Sequence, residues 1–121
     1  MTLLAQVLVA VVAILHLWFF TLESFLWKKP IGLKTFRMDS AQAEATAVLA
    51  ANQGVYNGFL AAGLIFGLVA ADPGVSRAFQ LFFLGCVIVA GLVGAATVSR
   101  RILYIQAVPA ALATALLLLA S

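Results

Sequence analysis

Apolar residues fill four long runs of this chain, and the polar residues gather mostly in the stretches between them. The first run goes from Leu3 to about Trp27, and the second from about Thr46 to Ala71 behind a more polar helical lead-in that starts at Asp39. The third covers Ala78 to Val98 and the fourth Ile102 to Ala120. An α-helix needs about 20 residues to cross a hydrocarbon core of about 30 Å, and each run is of that order. Strands of a membrane barrel would alternate polar and apolar residues over about ten positions, whereas these runs stay apolar, with Leu and Ala dominant. The pattern predicts an all-α polytopic membrane protein. Its expected form is a compact four-transmembrane-helix bundle, one domain over residues 1–121 with helices at about 3–27, 40–71, 77–98 and 101–120.

The punctuation between runs agrees with that division. Lys28-Lys29-Pro30 with Gly32 stops the first helix, and Asp72-Pro73-Gly74 makes a tight turn after the second. Asp39, with Gln42 three residues on, has the form of a cap opening the second helix. The first run lacks a basic leader and a small-residue cleavage site, so it reads as a mature helix rather than a signal peptide. Small residues four apart, Gly54 with Gly58, Gly63 with Gly67, Ala90 with Gly94 and Gly91 with Ala95, let helix backbones approach closely.

Composition changes the picture only through charge. Hydrophobic residues make up 65% of the chain and charged residues 9%, far from soluble usage. Lys28, Lys29, Lys34 and Arg37 fall in the first connection and Arg100 and Arg101 in the third, against Arg77 alone in the second. The positive-inside rule then puts the first and third connections in the cytoplasm and both termini on the opposite, periplasmic or extracellular, side. The net charge of +3 reads as a topogenic signal, with Lys28, Lys29, Arg100 and Arg101 meeting anionic headgroups, and not as a nucleic-acid surface. Cys86 is the one cysteine and reads as a small apolar packing residue.

The candidate chemistry lies in polar side chains inside the runs, since each is expensive in lipid unless paired or facing a cavity. His16 and Glu23 are seven residues apart and share one face of the first helix. Asn52 and Tyr56 share a face of the second, with Gln53 and Asn57 beside them, and the fourth adds Tyr104 and Gln106. Pro109 removes a bond to the Ile105 carbonyl and so frees an acceptor near Gln106. Counting rise from Trp27, Thr46 and Arg101 puts Glu23, Asn52 and Gln106 roughly 6 to 9 Å in, and His16, Tyr56 and Asn57 roughly 15 to 17 Å in. The same groups can also serve only to join helices through hydrogen bonds. Metal ligation lacks a donor set, because His16 is the only histidine and Cys86 lies in the other half. No nucleophilic triad is present, and the sequence names no cofactor.

The stretch Leu15-His16-Leu17-Trp18-Phe19-Phe20, then Leu22-Glu23 and Leu26-Trp27, resembles the bacterial membrane family known as domain of unknown function 1304. The resemblance is most specific over Leu49-Ala50-Ala51-Asn52-Gln53-Gly54-Val55-Tyr56-Asn57-Gly58-Phe59-Leu60-Ala61-Ala62-Gly63 and covers essentially the whole chain, with Val55 standing where that family leads one to expect leucine. It implies a small four-helix membrane protein whose polar positions are His16, Glu23, Asn52, Gln53, Tyr56 and Asn57, and it brings no activity. An acidic residue in the first helix is also similar to small multidrug-resistance exporters, although Glu23 sits nearer the cytoplasmic end. The topology is similar to that of membrane-associated glutathione and eicosanoid enzymes, whose arginine-rich second-helix pattern is missing here.

These readings converge on a polar pocket in the cytoplasmic half, formed by His16, Glu23, Asn52, Gln53, Tyr56, Asn57, Tyr104 and Gln106, that binds or acts on a lipophilic small molecule or lipid. A proton-coupled transporter working as an oligomer and a structural or accessory membrane subunit are the alternatives, and a homo-oligomer is left open. The topology is directly testable. Reporter fusions after Lys34 and at Ser121 should give opposite signals, cytoplasmic at the first and periplasmic at the second; the same signal at both would contradict the four-crossing topology.

Overall fold

The computed structural model describes residues 2–97 and 100–120, and among these it is helical without a β-strand. Five helices follow one another: α1 (Leu3–Ser24), α2 (Pro30–Phe36), α3 (Ser40–Val69), α4 (Pro73–Thr97) and α5 (Arg100–Leu119). In α5 a π-helical segment, Leu103–Ala107, joins α-helical Arg100–Ile102 to Val108–Leu119. Three of the five, α1, α4 and α5, are long and apolar enough to cross a membrane. Only 22% to 28% of those spans is buried within the chain, so most of their apolar surface requires lipid as its solvent. The chain is an integral membrane protein. The second predicted run differs: α3 is the longest helix, at 30 residues, but Asn52, Gln53, Tyr56 and Asn57 lower its hydropathy and leave it outside that group of three.

Helix boundaries follow local chemistry. Asp39 Oδ1 accepts the Gln42 N–H at 2.7 Å and caps α3, as the sequence predicts. Asp72 Oδ1 accepts the N–H groups of Gly74 and Val75 at 2.8 and 3.0 Å. With Pro73 in its first turn, α4 therefore starts about four residues before the predicted position. The first helix ends at Ser24 rather than Trp27, and the basic connection contains α2, a helix the sequence reading does not predict. Pro30 opens α2 and Arg37 closes it in the left-handed conformation at φ 54°. A seven-residue helix is too short to leave a readable period. Val98, the predicted end of the third run, lies outside the described residues.

The chain forms two compact units, Met1–Ile14 with Leu60–Ser121, and Leu15–Phe59. In the first unit the end of α3 and the start of α4 run antiparallel. Phe66 meets Phe79 with ring centroids 4.6 Å apart, and Ser76 Oγ donates to the Gly67 carbonyl at 2.6 Å. Gln80 Nε2 donates to Ser76 Oγ at 3.0 Å and to the same carbonyl at 3.3 Å. Helices α4 and α5 are also antiparallel, as the contacts Gly94 with Ile102, Gly91 with Ala107 and Arg77 with Leu117 show. Ala5, Val9 and Val12 of α1 join Leu64, Leu84, Val87, Ala110 and Leu117 in this unit's core.

Arg77 has a role that its charge alone does not reveal. Its Nη1 donates to the Leu117 carbonyl at 3.0 Å, placing a cation at the negative end of the α5 dipole. The π segment handles Pro109: Val108 N–H reaches back five residues to the Leu103 carbonyl, one more than in an α-helix. This widens the turn where the proline ring would clash with the carbonyl four residues earlier.

Gly91 marks a tight approach of α4 to α5. A Cβ there would lie 2.8 Å from both the Cβ and the backbone nitrogen of Ala107, whereas one at Gly85 would meet nothing within 4 Å. Gly91→Ala should therefore destabilise the protein by about 1–3 kcal/mol through overpacking. Gly85→Ala should be neutral or stabilising by up to about 1 kcal/mol. Unfolding in detergent compares the pair, and equal behaviour would contradict this packing.

Candidate functional site

The second unit, Leu15–Phe59, contains the end of α1, the connection with α2, and most of α3. Here α1 and α3 are antiparallel and unusually close. Ser24 Oγ donates to the Ala51 carbonyl at 3.0 Å, a bond that ties one helix directly to the other's backbone. Gly54 makes this approach feasible, since a Cβ there would collide with Ser24 Oγ and lie 3.1 Å from the Ser24 nitrogen. One turn further on, Gly58 faces the Phe20 ring, 3.4 Å from where a Cβ would sit.

The polar contact at the centre of this unit joins Glu23 to Asn57. Asn57 Nδ2 donates to Glu23 Oε1, and Asn57 is itself 6% exposed. The bond gives the half-buried carboxyl a donor and the buried amide an acceptor, so neither of those atoms is left unpaired. Among the described residues Glu23 has no ion pair. Lys28, the nearest lysine in sequence, is 3.6 Å from Glu44 Oε2 instead, and both of those side chains are exposed.

Beside this pair opens a groove of ≈ 380 Å³ lined by Glu23, Trp27, Thr46, Leu49, Ala50 and Gln53. Trp27 is held across it, its Nε1 donating to Thr46 Oγ1 at 3.1 Å while the same hydroxyl donates to the Gln42 carbonyl at 2.8 Å. Phe36 of α2 packs on the indole from outside, with ring centroids 4.7 Å apart. The groove thus combines one carboxyl, one amide and one hydroxyl with an indole and an aliphatic wall.

The sequence-predicted residues divide as follows. Glu23, Gln53 and Asn57 come together at or beside the groove. His16 is fully buried, with Phe19 edge-on to its ring at 5.3 Å. It lies two turns, or roughly 10 Å of rise, from Glu23, too far for a direct pair. Asn52 and Tyr56 are exposed on the outer side of α3, with Tyr56 edge-on to Phe59 at 5.9 Å. Tyr104, exposed, and Gln106, half-buried, belong to the other unit. Lys28, Lys29, Arg100 and Arg101 are all exposed, as headgroup contact requires.

Glu23 thus pairs with Asn57 and not with Asn52, the residue that counting rise places level with it. The count starts at Trp27, which lies beyond the end of α1 and reaches Thr46 through its long indole rather than by helical register. Trp27, Thr46, Leu49 and Ala50 are groove residues that the polar search passes over. A hydroxyl at the mouth of an apolar run, within reach of an interfacial indole, is the signal that could have drawn attention to Thr46.

Among the described residues no group of three or more His, Cys, Asp or Glu side chains could hold a metal ion. Comparisons with curated proteins and with solved structures find no match. The family model described as protein of unknown function DUF1304 matches residues 10–118, a stretch containing both halves of the Glu23–Asn57 pair and every groove residue. The chain belongs to that family.

Proposed function

We propose that α3 is a fourth membrane crossing and that the groove of the Leu15–Phe59 unit binds a lipophilic small molecule or lipid drawn from the cytoplasmic leaflet. The observation carrying this reading is Glu23, set in the wall of the groove and oriented by Asn57, with an aliphatic and aromatic lining around it. Few polar groups placed in a mainly apolar concavity of several hundred Å³ is the usual make-up of a small-molecule site. Leu49, Ala50 and the Trp27 ring suit an acyl chain or hydrophobic ring, while Glu23, Gln53 and Thr46 suit a head that donates hydrogen bonds.

An even number of crossings supports the orientation. With α3 in the bilayer, Lys28, Lys29, Lys34 and Arg37 share a side with Arg100 and Arg101, and the termini share the other, as the positive-inside rule asks. The mouth of the groove, at Trp27 and Thr46, then sits at the cytoplasmic headgroup level, where an indole is favoured.

Two substitutions separate ligand binding from a structural role. Glu23→Gln keeps an oxygen able to accept from Asn57, so the fold should persist while the head contact weakens; Leu49→Trp should fill the groove. Mass spectrometry of the purified protein should find an amphiphile enriched over bulk lipid in wild type and depleted in both variants. Unchanged lipid content with a lower melting temperature would instead favour the structural reading. Asn57→Leu, which leaves the Glu23 carboxyl without its donor, should destabilise the protein by about 1–3 kcal/mol in detergent unfolding. No loss of stability there would show that the pair does not hold the unit together.

A further inference from the structure

The two sides of α3 in the Leu15–Phe59 unit carry different patterns. Ala43, Ala50, Gly54 and Asn57 are buried within the chain. Opposite them, Ala45, Val48, Asn52, Val55 and Phe59 follow one another at alternating spacings of three and four residues, and all five are exposed. Val48 is 77% exposed and Phe59 59%. A 3.5-residue repeat of apolar positions is the seam by which one helix packs along another through knobs and holes. The seam has one polar member, Asn52, whose side-chain amide has no hydrogen bond among the described residues. With α3 a membrane crossing and Thr46 at the headgroup level, six residues of rise put Asn52 roughly 9 Å inside the membrane, too deep for so short a side chain to reach water.

We infer that this seam is the contact surface for a second copy of the chain, with α3 packing parallel to α3 and the two Asn52 amides hydrogen-bonded to each other. The argument for that occupant is self-complementarity. Copies inserted in one orientation pair about an axis along the membrane normal, so each residue near the axis meets its own counterpart at its own depth. A carboxamide is both donor and acceptor, so it satisfies itself across such an axis, which lipid tails cannot do. A single Asn at such a seam position also fixes register and copy number in paired helices. Tyr56 flanks the seam one turn from Asn52, and Leu49, a wall of the groove, flanks it on the same side. The second copy would therefore border each groove. The inference rests on α3 being a membrane crossing and not on what the groove binds.

Cysteine cross-linking in native membranes tests it in a Cys86→Ser background, which is cysteine-free. Single cysteines at Val48, Asn52 and Val55 should form disulfide-linked dimers on mild oxidation, while Ala47 and Gln53, off the seam, and the exposed Tyr104 of α5 should not. Cross-linking at Tyr104 without the seam positions, or none at all, would overturn the inference. An Asn52→Cys thiol open to a membrane-impermeant maleimide would instead show that α3 is not embedded, and the seam would fall with the crossing. A thiol that resists the reagent but forms no dimer defeats the seam alone. In nanodiscs or dilute detergent, Asn52→Ala should weaken dimerisation by about 3- to 30-fold, read by energy transfer between labelled copies, with Asn52→Gln closer to wild type. An unchanged dimer constant in Asn52→Ala would remove the amide pair from the account. Ligand content of the groove is measured separately, so a monomer that retains its amphiphile leaves the groove reading intact.

Discussion

The hydrogen bond from Asn57 to Glu23 is the interaction on which the Leu15–Phe59 unit depends. With α3 as the proposed fourth crossing, lipid would offer neither group a partner, and an isolated carboxyl or amide at this place would oppose insertion of its own helix. Joined, they set the register of α1 against α3. Once that register is fixed, Ser24 meets the Ala51 carbonyl, Gly54 lies against Ser24, and the Trp27 indole falls on Thr46. The groove is what remains between side chains too large to follow the backbones into contact. Apolar packing alone would not select this register, because lipid competes equally for apolar side chains.

Helix α3 shows why its polar residues belong to different tasks. Asn57 points to α1, Gln53 lines the groove, and Asn52 with Tyr56 lies on the exposed side. Distributed around the helix, these residues reduce its average hydropathy below that of α1, α4 and α5. A hydropathy window counts polar residues without asking whether each is paired. The Asn57 amide, already bonded to Glu23, is charged in such a count as if it faced lipid alone.

Much of the fold was legible in the sequence because it rests on local signals. The long apolar runs mark α1, α4 and α5, Asp39 marks the start of α3, and Asp72-Pro73-Gly74 marks the turn before α4. The stretch from Leu49 to Gly63 carries the family resemblance, and the family model covers it. What could not be read depends on three-dimensional placement. Helix α2 has too few residues to show a period, the contact of Arg77 with the Leu117 carbonyl spans 40 residues, and the π turn before Pro109 is a response to packing as much as to proline. For the site, the sequence picks out Glu23, Gln53 and Asn57 as polar residues in an apolar setting. It does not pick out Thr46, Leu49 or Ala50, whose part in the groove comes only from where α1 ends.

The chain contains two glutamates, Glu23 and Glu44, and two asparagines, Asn52 and Asn57, which makes the central bond open to direct measurement. Solid-state NMR on protein in bilayers, with 13C at the glutamate carboxyls and 15N at the asparagine side chains, measures the dipolar coupling across the Asn57–Glu23 contact. Glu44 and Asn52 are eight residues apart on one helix, roughly 12 Å of rise, and contribute little. The account predicts strong dephasing of one glutamate carboxyl, abolished by Asn57→Ala. A carboxyl signal undisturbed by the asparagine nitrogens would contradict it.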